Sequence, residues 1–86
     1  MDINLNKNVI IYEENEEIIF INMNNNIFFT LDQIGTLIWK ELKLCGDLLK
    51  VTNYISEKFK EDPETIKIDI IDLIEQLRIA GVIDCK

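Results

Sequence analysis

An apolar strand that runs without a break into an amphipathic helix constrains this chain more than any other stretch. Residues 26–44 read NIFFTLDQIGTLIWKELKL. Ile27 to Leu31 are strand formers, and Asp32 follows where a helix needs an acceptor for its first free backbone N–H groups. Ile34, Leu37, Ile38, Trp39 and Leu42 then recur mostly at helical spacing. Strand and helix together offer one large apolar surface, with Trp39 in its core, for the remaining segments to cover.

Those segments read clearly. Val9-Ile10-Ile11-Tyr12 predicts a strand over 8–13, and Ile18-Ile19-Phe20-Ile21 a second over 17–22. Glu13-Glu14-Asn15-Glu16 and Asn22-Met23-Asn24-Asn25-Asn26 separate them as turns, since Asn tolerates the left-handed backbone of tight hairpins. The three strands make an antiparallel meander. Alternation puts Ile27, Phe29 and Leu31 on the core face, with Phe28 and Thr30 on the other. Ile18 to Ile21 are apolar on both faces, so either helices cover both sides or one face awaits a partner.

Three helices follow, over 33–43, 48–59 and 64–80. Gly46 suits a left-handed stop, Asp47 caps the second helix, and Asp62-Pro63 opens the third. Leu48, Val51, Ile55 and Phe59 form the stripe of the second. Ile70, Leu73, Ile74 and Leu77 form that of the third, flanked by Ile68, Ile71 and Ile79, with a possible break near Lys67. The short gap between the first two helices fits a helix-turn-helix corner. Gly81 stops the third helix, and Val82-Ile83 continue as an extended tail. The class is α+β, a three-stranded antiparallel β-meander followed by three helices, in one domain over residues 1–86.

Composition excludes several functions. There is no His in 86 residues, so the usual dyads and triads are missing. No phosphate-cradling Gly loop and no metal-ligand spacing occur, and no cofactor is expected. Asp69 and Asp72, three apart on a helix, raise the question of a carboxylate pair, but an exposed acidic face explains them better. Enzyme is therefore the weakest class. No run approaches the roughly 20 apolar residues of a membrane span. MDINLNKN lacks the basic flank and compact apolar run of a secretory signal. Cys45 and Cys85 read as two incidental thiols in a reducing cytoplasm. The net charge of −7 lies at the two ends of the chain, and no Lys/Arg cluster is present to neutralise phosphates.

Three marks together resemble the PqqD-like family, also called RiPP recognition elements. IIFINMNNNIFFTLD resembles the family's apolar strand, turn and aromatic strand, with Asp32 where Asn is common. IGTLIWKELKLCGD resembles its first helix, with Ile38-Trp39 at the usual IW and Cys45-Gly46 at the usual DG. IDIIDLIEQLRIAGVI resembles its closing helix. The likeness covers about residues 8–84.

What the resemblance implies is a winged helix-turn-helix that binds the leader segment of a ribosomally made precursor peptide. In the family the leader adds as an extra strand beside the third strand, against the third helix. Carried onto this chain, the edge is Ile27, Phe28, Phe29, Thr30 and Leu31, and the opposing wall is Ile71, Ile74, Glu75 and Arg78. The domain then presents the precursor to a modifying enzyme or leader peptidase. That partner is a radical SAM enzyme, a cyclodehydratase, a lanthipeptide dehydratase or a lasso-peptide protease.

Several assignments stay open at this level. Phe28 and Thr30 either face the peptide or pack under a helix, and Ile71 is either groove or core. Arg78 either anchors the peptide or pairs with Glu75 or Asp72. The acidic ends imply a basic leader and binding that weakens with salt. The rival classes are a winged-helix DNA-binding regulator and a structural subunit of a larger enzyme complex. Five acids against two cations over 62–80 oppose the first of these. A free strand edge permits a monomer or an edge-paired or strand-swapped homodimer.

Overall fold

The computed structural model of the chain describes residues 3–85, Cys85 by its backbone alone. In order come β1 (Ile3–Leu5), β2 (Val9–Glu14), β3 (Glu17–Asn22), β4 (Ile27–Leu31), α1 (Gln33–Cys45), α2 (Leu48–Phe59), α3 (Pro63–Ile79) and β5 (Ile83–Cys85). The expected meander is the sheet β2-β3-β4, antiparallel throughout. Asn15 and Glu16 turn the first hairpin at φ 54° and 63°, the left-handed pair that a tight two-residue turn needs.

The helix boundaries follow their caps. Asp32 accepts from the Gly35 N–H at 2.7 Å, Asp47 from the Leu49 and Lys50 N–H groups, and Asp62 from that of Glu64. Gly46 closes α1 at φ 68°. Pro63 starts α3, which runs unbroken past Lys67.

The sequence pattern does not announce one part of the architecture. β1 pairs antiparallel with β5 as a second sheet, Ile3 opposite Cys85 and Leu5 opposite Ile83. β1 has only Ile3 and Leu5 around an Asn, too little pattern to read as a strand. Long-range pairing, not local propensity, makes it one.

The helices pack on one face of the meander. There Ile18, Phe20 and Leu31 are almost wholly buried, and Phe29 packs against the core. Phe20 meets the buried Trp39 edge-on, with ring centroids 5.0 Å apart, a contact that adds about 1 kcal/mol to simple burial. Ile55, Ile70 and Leu77 complete the centre. Three residues expected inside lie at the margin instead. Ile27 is 40% exposed at the start of β4, Phe59 is 37% exposed at the end of α2, and Ile34 is 48% exposed in the first turn of α1. Each lies at an element terminus, where the neighbouring layer gives less cover.

Of the two cysteines, Cys45 is a free, exposed thiol. The side chain of Cys85 lies outside the described residues.

Candidate functional site

The site is built from the outer edge of β4 and the flank of α3 beside it. Among the described residues β4 pairs with β3 alone, so its other edge is unpaired. The direction of its free groups follows from how β3 bonds to β2. The two-residue Asn15-Glu16 turn closes on the Glu14–Glu17 pair, and the Met23 N–H donates to the Asn8 carbonyl at 2.9 Å, so the odd residues of β3 bond to β2. Antiparallel ladders alternate bonded and non-bonded pairs. Ile18–Leu31, Phe20–Phe29 and Asn22–Ile27 are then the pairs that bond across to β4, with Thr36 Oγ1 bridging the Ile18 N–H and the Leu31 carbonyl at the first of them. The backbone groups of Phe28 and Thr30 point outward.

Two buried polar side chains fix where this edge lies. Thr36, 3% exposed, accepts from Ile18 and donates to the Leu31 carbonyl at 3.3 Å, tying β3 and β4 to α1. Asn22, 4% exposed, donates to the carbonyls of Ala80 and Gly81 at 3.3 and 3.1 Å, tying the meander to the end of α3. Gly81 has φ 75°, and a Cβ there would stand 2.8 Å from Asn22 Nδ2. The end of α3 therefore lies near the start of β4, and its middle lies near Asp32 and Gly35, just beyond the end of β4. α3 runs antiparallel beside the strand.

Just beyond the end of β4, between the start of α1 and α3, is a groove of about 300 Å³ lined by Asp32, Ile34, Gly35, Ile38, Asp69, Asp72, Leu73 and Gln76. It continues through Ile34 and Asp69 into a second groove that reaches Phe59 and Glu61. The floor is apolar and the rim acidic. Asp32 is held by its cap, and Asp72 accepts from Gln76 at 2.8 Å. Asp69 has no hydrogen-bond partner among the described residues.

The residues expected as the wall lie on a different flank of α3 from this groove. At 100° per residue, Ile71, Ile74, Glu75 and Arg78 centre roughly 160° around the helix from Asp69, Asp72, Leu73 and Gln76. The second set faces the groove at the start of α1. Ile74 is buried, whereas Ile71, Glu75 and Arg78 are exposed on the far flank. Arg78 takes the local alternative: its Nε donates to Glu75 at 3.1 Å and its guanidinium also bridges to the second Glu75 oxygen. That bond holds the Glu75 carboxyl below its ordinary pKa. The apolar stripe of α3 is plain in the sequence. The direction in which its flanks turn depends on Asn22, whose latch no local pattern reveals.

On β4 the alternation is as expected. Phe28, 68% exposed, and Thr30 look away from the helices and are not packed beneath one. Larger hollows occur elsewhere, away from β4. One of about 400 Å³ lies where Lys40, Lys58 and Phe59 meet. Another, of about 630 Å³, is lined by Asn4, Asn6, Asn8, Asn22, Asn24 and Asn25; Asn6 and Asn22 donate to the Gly81 carbonyl and Asn8 to Asn24. No group of three or more His, Cys, Asp or Glu among the described residues is placed to hold a metal ion. No helix among them is long and apolar enough to cross a membrane.

Fold and edge together define a winged helix-turn-helix domain whose three-stranded wing ends in an unpaired strand beside the last helix. The family model for coenzyme PQQ synthesis protein D (PqqD) matches residues 8–83, and the chain belongs to that family. Two solved structures share its fold. One is described as lasso peptide synthetase B1 complexed with the leader peptide, with TM-score 0.90, 13% identity, and 99% of this chain and 100% of that chain covered. The other is TbiB1 in complex with the TbiA(beta) leader peptide, with TM-score 0.84, 18% identity and 96% of each chain covered. No curated protein matches significantly.

Proposed function

We propose that this chain binds the leader segment of a ribosomally made precursor peptide by strand addition along β4 and presents it to a modifying enzyme or leader peptidase. It does no chemistry itself. The observation that carries the reading is the unpaired edge of Ile27–Leu31, which leads into an apolar-floored groove between α1 and α3. Membership of the PqqD family supports it. So do the two neighbours of like fold, both described with a leader peptide bound.

In this mode backbone bonds supply affinity and side-chain pockets supply selectivity. The outward backbone groups of Phe28 and Thr30 take the incoming strand. Alternate leader side chains enter the groove over Leu73 and Ile34, where Asp69, Asp72 and Asp32 favour a basic residue. Phe28 and Thr30 flank the leader on the outer side. Ile71, Glu75 and Arg78 lie too far around α3 to touch it. The work is done in the cytoplasm, where ribosomes make the precursor; an exposed, unpaired Cys45 suits that reducing compartment. The chain acts as a monomer, because pairing two β4 edges would occupy the leader's place.

The test is a titration of isotopically labelled protein with the leader segment of a candidate precursor peptide from the same genome. Resonances of 27–31 and of Asp69, Asp72, Leu73 and Gln76 should shift. Shifts centred on Ile71, Glu75 and Arg78 would refute the site.

A further inference from the structure

We infer that the outer face of the β2-β3-β4 meander is the docking surface for the enzyme that acts on the bound precursor, and that this enzyme presents an apolar patch with a basic rim. The inference rests on the leader-binding reading for the identity of its partner. Its surface is a different one.

Register and parity define the face. Ile10 stands opposite Ile21, Tyr12 opposite Ile19, and Ile21 and Ile19 opposite Phe28 and Thr30. These side chains all point away from the helices. Ile10 is 51% exposed and Tyr12 54%, with Phe28 more open still and Ile19 and Ile21 partly buried. Contiguous exposed side chains of this size on a small domain mark an interaction site, whereas scattered ones do not.

Charge selects the partner. Residues 9–31 carry Glu13, Glu14, Glu16 and Glu17 and no Lys or Arg. Lys40 reaches Glu13, on the helix-covered side, at 2.8 Å. Glu14 and Glu17 stand directly opposite each other on the outer face. Like charges so placed weaken a sheet. A second copy would bring more carboxylates to the same place, while Lys or Arg on a partner would relieve the repulsion. The occupant favoured is therefore a basic protein surface and not another copy of this chain.

Strand addition links the two surfaces. A leader on β4 becomes the next strand of this face, and every second side chain of it stands outward beside Phe28 and Thr30. The docking enzyme then meets domain and leader as one surface, and leader occupancy tightens docking.

The test uses the full chain, that leader and a candidate processing enzyme from the same genome. Enzyme affinity is measured with and without saturating leader. Ile10→Thr/Tyr12→Thr keeps strand propensity and should weaken enzyme binding tenfold or more. Glu14→Gln/Glu17→Gln should weaken it at least threefold while raising Tm, which separates docking from misfolding. Leader affinity should stay within twofold of the unaltered chain in both. Saturating leader should tighten the unaltered chain's enzyme binding at least threefold. Enzyme binding unchanged in the two double variants overturns the inference. So does a dimer of the unaltered chain that Ile10→Thr/Tyr12→Thr dissolves, since a second copy then occupies the face. If the unaltered chain binds no leader, strand addition falls, while the comparison made without leader still decides the docking surface.

Discussion

Neutralising the acidic rim should weaken leader binding without weakening the fold. Asp69→Asn/Asp72→Asn is the cleanest change. Both side chains are exposed, and the amide oxygen that replaces the Asp72 carboxylate still accepts from Gln76. Stability should therefore stay within about 0.5 kcal/mol. Asp32 is unsuitable, because it caps α1. For a leader Lys or Arg about 4 Å from one carboxylate, the attraction in water is about 1 kcal/mol, of which ordering two side chains leaves roughly half. Two carboxylates then contribute about 1 kcal/mol, or roughly fivefold in Kd. Reversal by Asp69→Lys/Asp72→Lys should double that to about 2 kcal/mol, or roughly 30-fold. Fluorescence anisotropy of labelled leader reads both, and the unaltered and neutralised proteins should converge near ~1 M salt, where screening acts within about 3 Å. Glu75→Gln removes a charge from the opposite flank and should change little. The reasoning is refuted if Asp69→Asn/Asp72→Asn binds as the unaltered chain does at low salt, or if Glu75→Gln costs as much.

Thr36→Val strands two buried backbone groups, so it should cost about 2 kcal/mol and lower Tm by roughly 10 °C in a thermal melt. Gly81→Ala forces a Cβ onto Asn22 at positive φ; urea unfolding should show a loss of about 1–3 kcal/mol, with weaker leader binding as the groove loosens. The Glu75 carboxyl, held down by its hydrogen bond from Arg78, should titrate below an ordinary Glu by NMR, and Arg78→Gln should return it upward. Because that pKa is lowered on folding, the pair stabilises above the ordinary Glu range and is lost as pH falls through the lowered value. Arg78→Gln should leave leader affinity unchanged.

Local chemistry writes most of this fold into the sequence. Asp32, Asp47 and Asp62-Pro63 mark the helix starts, and Gly46 ends the first. Period-two alternation separates Phe28 and Thr30 from Phe29 and Leu31. What stays hidden is set by contacts far apart in the chain. β1 exists because β5 pairs with it, with Leu5 opposite Ile83. The rotation of α3 against β4 is fixed by Asn22 bonding to Ala80 and Gly81, across 58 and 59 residues of sequence. Without that latch, Ile71, 47% exposed, looks as fit for the groove as Leu73. Asn22 itself reads as a turn residue, and its burial opposite Ile27 at the end of β3 is the one hint that it does more.

Backbone amide exchange along β4 tests strand addition most directly. In the free protein the Phe29 and Leu31 amides, turned toward β3, should exchange slowly, and the outward Phe28 and Thr30 amides fast. Saturating leader should slow Phe28 and Thr30 to the rate of their neighbours. A leader that binds at full occupancy while Phe28 still exchanges at its free rate would contradict strand addition.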